Sequence, residues 1–271
     1  MNLCVFFEGT GQGVSGNVTN VTRLYDVCEE SPAQKLHLEP GPGTHFGAYL
    51  RGLLYGRDWR IVFCGARRWF EANFNRVRPD AEGTKVFIFG FSRGALIARH
   101  FAAWLDKIGV GVAYLGVWDT VDATLGIDVS ETVPGNVRMA RHAVARDEMR
   151  RLYSYIPLKP PASAAARARC KVEELVFPGS HSDVGGLFDD NHLVADVSLA
   201  WIAEGAKKEG LRLKNGEILI VPSDLDKVVL HDQHDEATNL WGALGRVKRK
   251  LTGIPRHFLC RCKKALQKSA Q

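Results

Sequence analysis

Short apolar runs alternate along this chain with longer amphipathic stretches. Residues 3–7, 60–64, 86–89, 113–118, 174–177 and 217–221 read as strands, while residues 66–77, 95–107, 136–152 and 194–209 read as helices. Strands that alternate with helices predict an α/β fold with a mostly parallel central sheet, because parallel neighbours need a crossover and the crossing helices cover both sheet faces. Two segments break the alternation. Residues 31–56 are rich in Pro and Gly, notably in Glu39-Pro40-Gly41-Pro42-Gly43-Thr44, and are expected as a loop over the active face. Residues 157–168 contain Lys159-Pro160-Pro161 and an alanine-rich run, and are expected as a second irregular connection. There is no internal repeat and no sign of a second core.

The most informative local pattern is Gly90-Phe91-Ser92-Arg93-Gly94, set between the apolar run Val86-Phe87-Ile88-Phe89 and the helix-like stretch that starts at Ala95. A strand, a sharp turn flanked by glycines and a helix together lift a serine hydroxyl clear of a sheet edge, where it can act as a nucleophile. Glycine is needed on both sides because a side chain there would collide with the neighbouring strand or helix. The start of the following helix favours developing negative charge.

A nucleophilic serine needs a base to take its proton and an acid to orient that base, and in sheets of this type the chain order is serine, acid, histidine. Asp119 follows the strand Tyr114-Leu115-Gly116-Val117-Trp118 and would emerge at the same sheet edge as Ser92; a turn or helix-capping role is the alternative, and Asp122 lies three residues further on. For the base, His181 opens the small-residue loop Ser180-His181-Ser182-Asp183-Val184-Gly185-Gly186 directly after a strand. His231 is the reserve base, in His231-Asp232-Gln233-His234-Asp235, where a metal site or a solvated loop is an equal reading. His142, near Arg138, Arg141 and Arg146, reads as a helix-surface residue. The oxyanion formed on attack would be met by the backbone N–H of Arg93 and by one from Gly9 or Thr10, in the glycine-rich turn after the first strand. This chemistry uses side chains and backbone alone, so neither a cofactor nor a metal is expected.

Composition narrows the picture. A chain of 271 residues, 45% of them hydrophobic, is long enough for one large core, and residues 1–245 are expected as a single catalytic domain followed by a tail over residues 246–271. No run of about 18 apolar residues occurs, which argues against a spanning helix. The opening residues lack a basic leader and read as a first strand rather than a signal peptide, so synthesis in the cytoplasm is expected. The cysteines at positions 4, 28, 64, 170, 260 and 262 show no paired metal spacing and read as reduced thiols. The net charge of +6 belongs to the tail: residues 246–271 hold nine Lys or Arg and no acid, which leaves 27 basic against 30 acidic side chains elsewhere. Basic residues mixed with Ile254, Phe258, Leu259 and Leu266 suit an anionic lipid surface, and a solvated end is the plain alternative. No nucleic-acid recognition motif accompanies the charge, and no nucleic-acid partner is expected.

Several motifs taken in order carry a family resemblance. These are Glu8-Gly9-Thr10, Asn20-Val21-Thr22-Arg23-Leu24-Tyr25, Gly41-Pro42-Gly43-Thr44, Gly90-Phe91-Ser92-Arg93-Gly94-Ala95, Gly116-Val117-Trp118-Asp119-Thr120-Val121 and Phe177-Pro178-Gly179-Ser180-His181-Ser182-Asp183-Val184-Gly185-Gly186, in a match that runs from residue 3 to about residue 210. Together they resemble the α/β-hydrolase-like family that includes bacterial type VI secretion phospholipase effectors. His142-Ala143-Val144-Ala145-Arg146-Asp147-Glu148 is also similar to a family helix. The resemblance implies Ser92 as nucleophile, Asp119 as acid and His181 as base. It further implies a lipid or small acyl-ester substrate, export by a type VI secretion system, and a delivery or immunity protein as partner. The family usually has aspartate where this chain has Glu8, and its effectors tend to be longer. Two other readings stay open: a catalytically silent module of the same fold that binds a membrane or a protein, and an esterase or thioesterase for a soluble substrate.

Overall fold

A computed structural model describes residues 1–10, 18–42, 59–77, 83–121, 130–150, 153–214 and 228–231. Six strands, β1 (Asn2–Phe7), β2 (Gln34–Glu39), β3 (Lys85–Phe91), β4 (Val112–Trp118), β5 (Val137–Ala145) and β6 (Lys171–Phe177), form one sheet in the order β2-β1-β3-β4-β5-β6. Every pairing is parallel, as the alternation of elements predicts. The helices are α1 (Asn20–Val27), α2 (Trp59–Val77), α3 (Arg93–Lys107), the short α4 (Ala164–Arg167) and α5 (His181–Gly185), and α6 (Leu193–Glu209).

Both sheet faces are covered, which explains why the central strands read as unbroken apolar runs. Along β1, Cys4 and Phe6 point into a cluster with Leu24 of α1 and Ile202 of α6, while Leu3, Val5 and Phe7 point into a second cluster with Phe70 of α2 and Phe101 of α3. Successive side chains of a strand leave on opposite faces, so a strand between two helical layers needs apolar residues at every position.

Three expectations are corrected. Residues 60–64, read as a strand, open α2: Val62, Ala66 and Phe70 are buried at helical spacing while Ile61 is exposed, so the four-residue period prevails over the local apolar run. Residues 136–152, read as a helix, contain β5 instead. The charged residues there suggested a polar helix face, but Arg141 is buried and paired with Glu173 and Glu204, and His142 is fully buried. The family-like segment around His142 is thus strand, and His142 is no surface residue. Finally, the Pro- and Gly-rich stretch holds the edge strand β2, and its residues 43–56 lie outside the described residues. Residues 217–221 and the basic tail lie outside the described residues.

The loop after β2 does approach the region after β1. A Cβ on Gly41 would lie 1.6 Å from the Gly9 carbonyl oxygen, so only glycine permits that backbone contact. On the opposite side of α1, the buried Asn20 amide donates to the Val184 and Ala195 carbonyls and to Ser198 Oγ, each at 3.0 Å. One side chain therefore ties α1 to both α5 and α6, which fixes the short helix that begins at His181.

Candidate active site

Ser92 stands between β3 and α3 with φ 59 and ψ −125, a conformation that non-glycine residues rarely adopt. Such strain persists only where the surroundings enforce it. Here they do. A Cβ on Gly94 would lie 2.3 Å from the carbonyl oxygens of both Phe7 and Glu8, and one on Gly90 would lie 2.6 Å from the Gly94 carbonyl. The glycines around Ser92 let β3, α3 and the end of β1 meet backbone to backbone. The Ser92 amide donates to the Trp118 carbonyl at 3.0 Å, which binds the turn to the last residue of β4.

Asp119 comes next in the chain after Trp118, at the same edge of the sheet. It is fully buried and also has a positive φ, 37°. Its carboxylate is held at both oxygens: Oδ1 accepts from the Ala145 amide at 2.8 Å, and Oδ2 meets His181 Nδ1 at 2.6 Å. His181 is the first residue of α5, whose N-terminus is set by a reciprocal capping box between Ser180 and Asp183. The imidazole stacks on Phe91, the neighbour of Ser92, at 4.5 Å between centroids, and takes the edge of Tyr153 at 4.9 Å. Gly185 also lies against Phe91, where a Cβ would come within 2.2 Å of the ring. Ser92, Asp119 and His181 thus leave the same edge of the sheet, after β3, β4 and β6, while the end of β5 supports the aspartate.

Burial of His181 lowers its pKa below the ordinary 6.5; the hydrogen bond and charge of Asp119 offset this in part, and Arg150 adds to the lowering. The imidazole is therefore neutral at neutral pH, with Nδ1 committed to Asp119 and Nε2 left to accept a proton. A second carboxylate, Glu148, accepts from the His181 amide at 3.2 Å and from the Arg150 side chain at 2.9 and 2.7 Å. Burial pushes the Glu148 pKa up, yet hydrogen bonds and charge from Arg150 hold it below the usual range. Arg150 lies 3.7 Å over the Tyr153 ring. Nothing in the sequence pattern singles out Glu148, Arg150 or Tyr153, because their place beside His181 depends on a long connection between β5 and β6.

The turn after β1 forms the remaining wall. A Cβ on Gly9 would lie 3.4 Å from Ser92 Cβ, so this turn abuts the serine. Glu8, the departure from the family aspartate, is fully buried and accepts from the Thr19 hydroxyl at 2.7 and 2.9 Å, from the Thr22 hydroxyl, and from the Gly9 amide at 3.2 Å. Burial raises its pKa, and those hydrogen bonds oppose the rise. The carboxylate joins the turn to the N-terminus of α1, where Thr19 also caps the amides of Val21 and Thr22. Arg93 Nε donates to the Thr10 hydroxyl, linking the two segments expected to supply oxyanion donors.

His231 sits elsewhere. Its Nδ1 meets Asp183 Oδ1 at 2.6 Å, its Nε2 meets Asp190 Oδ2 at 3.1 Å, and its ring stacks on Phe188 at 3.8 Å. Its partners are carboxylates other than Asp119. Asp122, Asp232 and His234 lie outside the described residues, among which no cluster of three or more His, Cys, Asp or Glu is arranged to hold a metal.

Residues 1–113 and 110–205 match the family model for the catalytic domain of Tle1-like phospholipase effectors of the type VI secretion system. The chain belongs to this family. Among solved structures it is similar to an uncharacterized protein from Pseudomonas aeruginosa, with a TM-score of 0.53, 17% identity, and coverage of 86% of this chain and 49% of that one. It is also similar to the Tle1 effector solved bound to the VgrG spike of the type 6 secretion system, with a TM-score of 0.51, 18% identity, and coverage of 69% of this chain and 51% of that one. At these identities the likeness establishes a shared α/β fold. An uncharacterized protein of Saccharomyces cerevisiae is 28% identical over 124 residues, 40% of this chain and 18% of that protein. The chain spans about half the length of these two solved proteins and a smaller part of the yeast protein. Among the described residues no helix is long and apolar enough to cross a membrane.

Proposed function

We propose that the protein is a serine hydrolase that cleaves acyl esters of lipids, with glycerophospholipids the preferred class. The observation that carries this reading is the pairing of a strained serine, φ 59 at a strand-to-helix turn, with a buried Asp119–His181 bond of 2.6 Å at the same sheet edge. A serine held in an unfavourable conformation by glycine-dependent backbone contacts is hard to account for unless its hydroxyl must point out of the turn.

In the first half-reaction Ser92 Oγ attacks the acyl carbonyl carbon and its proton passes to His181 Nε2, while Asp119 stabilises the imidazolium. The tetrahedral oxyanion collapses, the alcohol portion leaves with the proton from His181, and the acyl group stays on Ser92. Water then attacks the acyl-enzyme, gives its proton to His181, and the fatty acid is released as the Ser92 hydroxyl is restored. Because the Gly9 amide is turned toward Glu8, the amides of Arg93 and Thr10 are the donors best suited to the oxyanion. Family membership supports the lipid substrate, and the Tle1 effector solved on a VgrG spike supports a spike protein as delivery partner, with export by a type VI system. The basic, partly apolar residues 246–271 would bring the domain to an anionic membrane surface.

Replacing Ser92 with Ala tests the reading directly. Turnover of a short acyl ester and of phospholipid vesicles is expected to drop to the residue left by binding and oxyanion donors, a loss of about three orders of magnitude or more. Retained turnover rejects the mechanism.

A further inference from the structure

We propose that His142 is a positioning residue: it clamps the backbone turn that carries Asp119 and so sets the Asp119–His181 pair. The inference rests on the hydrolase reading above and adds a group that does not touch substrate. It starts from the positive φ of Asp119, 37°, which a non-glycine residue keeps only where neighbouring contacts dictate it. The Asp119 amide is tied to the Ala143 carbonyl at 2.7 Å, the last such bond before the chain leaves β4. The next amide, that of the fully buried Thr120, has no strand to pair with. It donates instead to the imidazole of His142, Nε2, at 3.0 Å.

That bond dictates the state of the ring. An amide can only donate, so Nε2 must present a lone pair and the proton of the neutral imidazole must sit on Nδ1. Nδ1 faces Glu174 Oε2 at 2.9 Å, and a carboxylate is the acceptor this tautomer requires. Glu174 is the β6 residue registered against His142 on β5, and Val117 is its β4 counterpart, so the sheet itself lines up the three positions. The carboxylate is held in turn by the Tyr155 hydroxyl and by the Leu158 amide at 2.9 Å, and the Tyr155 ring stacks on His142 at 5.8 Å. The Ile156 amide donates to the Thr120 carbonyl at 3.0 Å. Residues 155–158 therefore close over both ends of a chain that runs from Glu174 through His142 to the Thr120 amide. The same turn aims the Asp119 carboxylate, whose Oδ2 meets His181 at 2.6 Å. Burial alone calls for both ring nitrogens to be bonded; what sets His142 apart is that one of them takes the amide next to the proposed catalytic acid.

Two variants separate clamp from filler. His142→Leu keeps the bulk and removes the acceptor; His142→Gln retains an acceptor close to the place of Nε2. With a short acyl ester, His142→Leu is expected to lower kcat about 10- to 100-fold, the cost of a small misplacement in an active site, with KM within about twofold of the parent. His142→Gln is expected to recover most of the loss. The downfield proton resonance of the His181 Nδ1–H, assigned by NMR, is expected to shift or broaden in His142→Leu and to return in His142→Gln. Unchanged kcat and resonance in folded His142→Leu, or equal impairment of both variants, overturns the clamp. Should the variants fail to fold, nitrogen-15 histidine spectra of the unaltered protein decide: a proton on Nδ1 of His142 supports the proposal, and one on Nε2 overturns it. Ser92→Ala measured alongside keeps the two readings apart. Absence of Ser92-dependent turnover in the parent protein rejects the hydrolase, while the resonance and the tautomer still report on the clamp.

Discussion

At the residue scale, the chemistry depends on which groups hold protons. In the proposed mechanism His181 must be neutral to take the proton of Ser92, and burial lowers its pKa below 6.5 despite the opposing pull of Asp119. Protonation on the acid side removes the base, so activity is present above the pKa of the folded protein and is lost as pH falls through it. The acid limb of kcat/KM for a short acyl ester is accordingly expected to have its midpoint below 6.5; a midpoint above 6.5 would mean that Asp119 outweighs burial. The residues of this pair were legible in the sequence because each follows a strand: Asp119 after Trp118, and His181 soon after Phe177. His142 and Glu148 were not. Both are polar residues buried by partners from elsewhere in the chain, Glu174 and Thr120 for one, Arg150 and the His181 amide for the other, and a local pattern of polar and apolar positions assigns such residues to the surface.

Among the elements, the turn around Ser92 is tightly constrained. Gly94 faces two carbonyl oxygens that a Cβ would approach to 2.3 Å, and neither can move without shifting the end of β1. Gly94→Ala is therefore expected to destabilise the protein by about 3 kcal/mol, in the range for overpacking a rigid site. In a chain of this size that corresponds to a fall in Tm of roughly 6–12 °C by thermal unfolding, and an unchanged Tm would show that the contact is not tight. The motif was readable because glycine, serine and their flanking elements lie within a few residues. β5 and the start of α2 were misread for the opposite reason. Arg141 and His142 put a polar side chain on each face of β5, satisfied by partners on β6, on α6 and in the turn after β4, while Ile61 to Phe63 give α2 a local apolar run whose outer member, Ile61, is solvent-exposed.

For the molecule as a whole, the parallel order β2-β1-β3-β4-β5-β6 positions the residues of the proposed triad. In a parallel sheet all strands end at one edge, so residues separated widely in sequence, Ser92, Asp119 and His181, emerge together without any further device. This much followed from the alternation of elements. What that alternation does not encode is how the edge is closed. Asn20 holds α5 from behind, and Glu8 ties the turn after β1 to α1; both act through buried hydrogen bonds with distant or turn residues. The role proposed for the basic segment 246–271 belongs to this scale too. Its removal is expected to leave turnover of a soluble short ester within about twofold of the parent protein. It is also expected to abolish a salt-sensitive association with anionic vesicles, measured by co-sedimentation at low and high ionic strength. Vesicle binding that survives the truncation would place the membrane contact elsewhere.

The central claim is that Ser92 is an activated nucleophile. The most direct measurement is reaction of the folded protein with a fluorophosphonate, followed by mass-spectrometric location of the adduct. One phosphonyl group on Ser92 is expected, absent from Ser92→Ala and from protein unfolded before exposure. Folded protein that stays unmodified, or that takes the label at another residue, would contradict the mechanism.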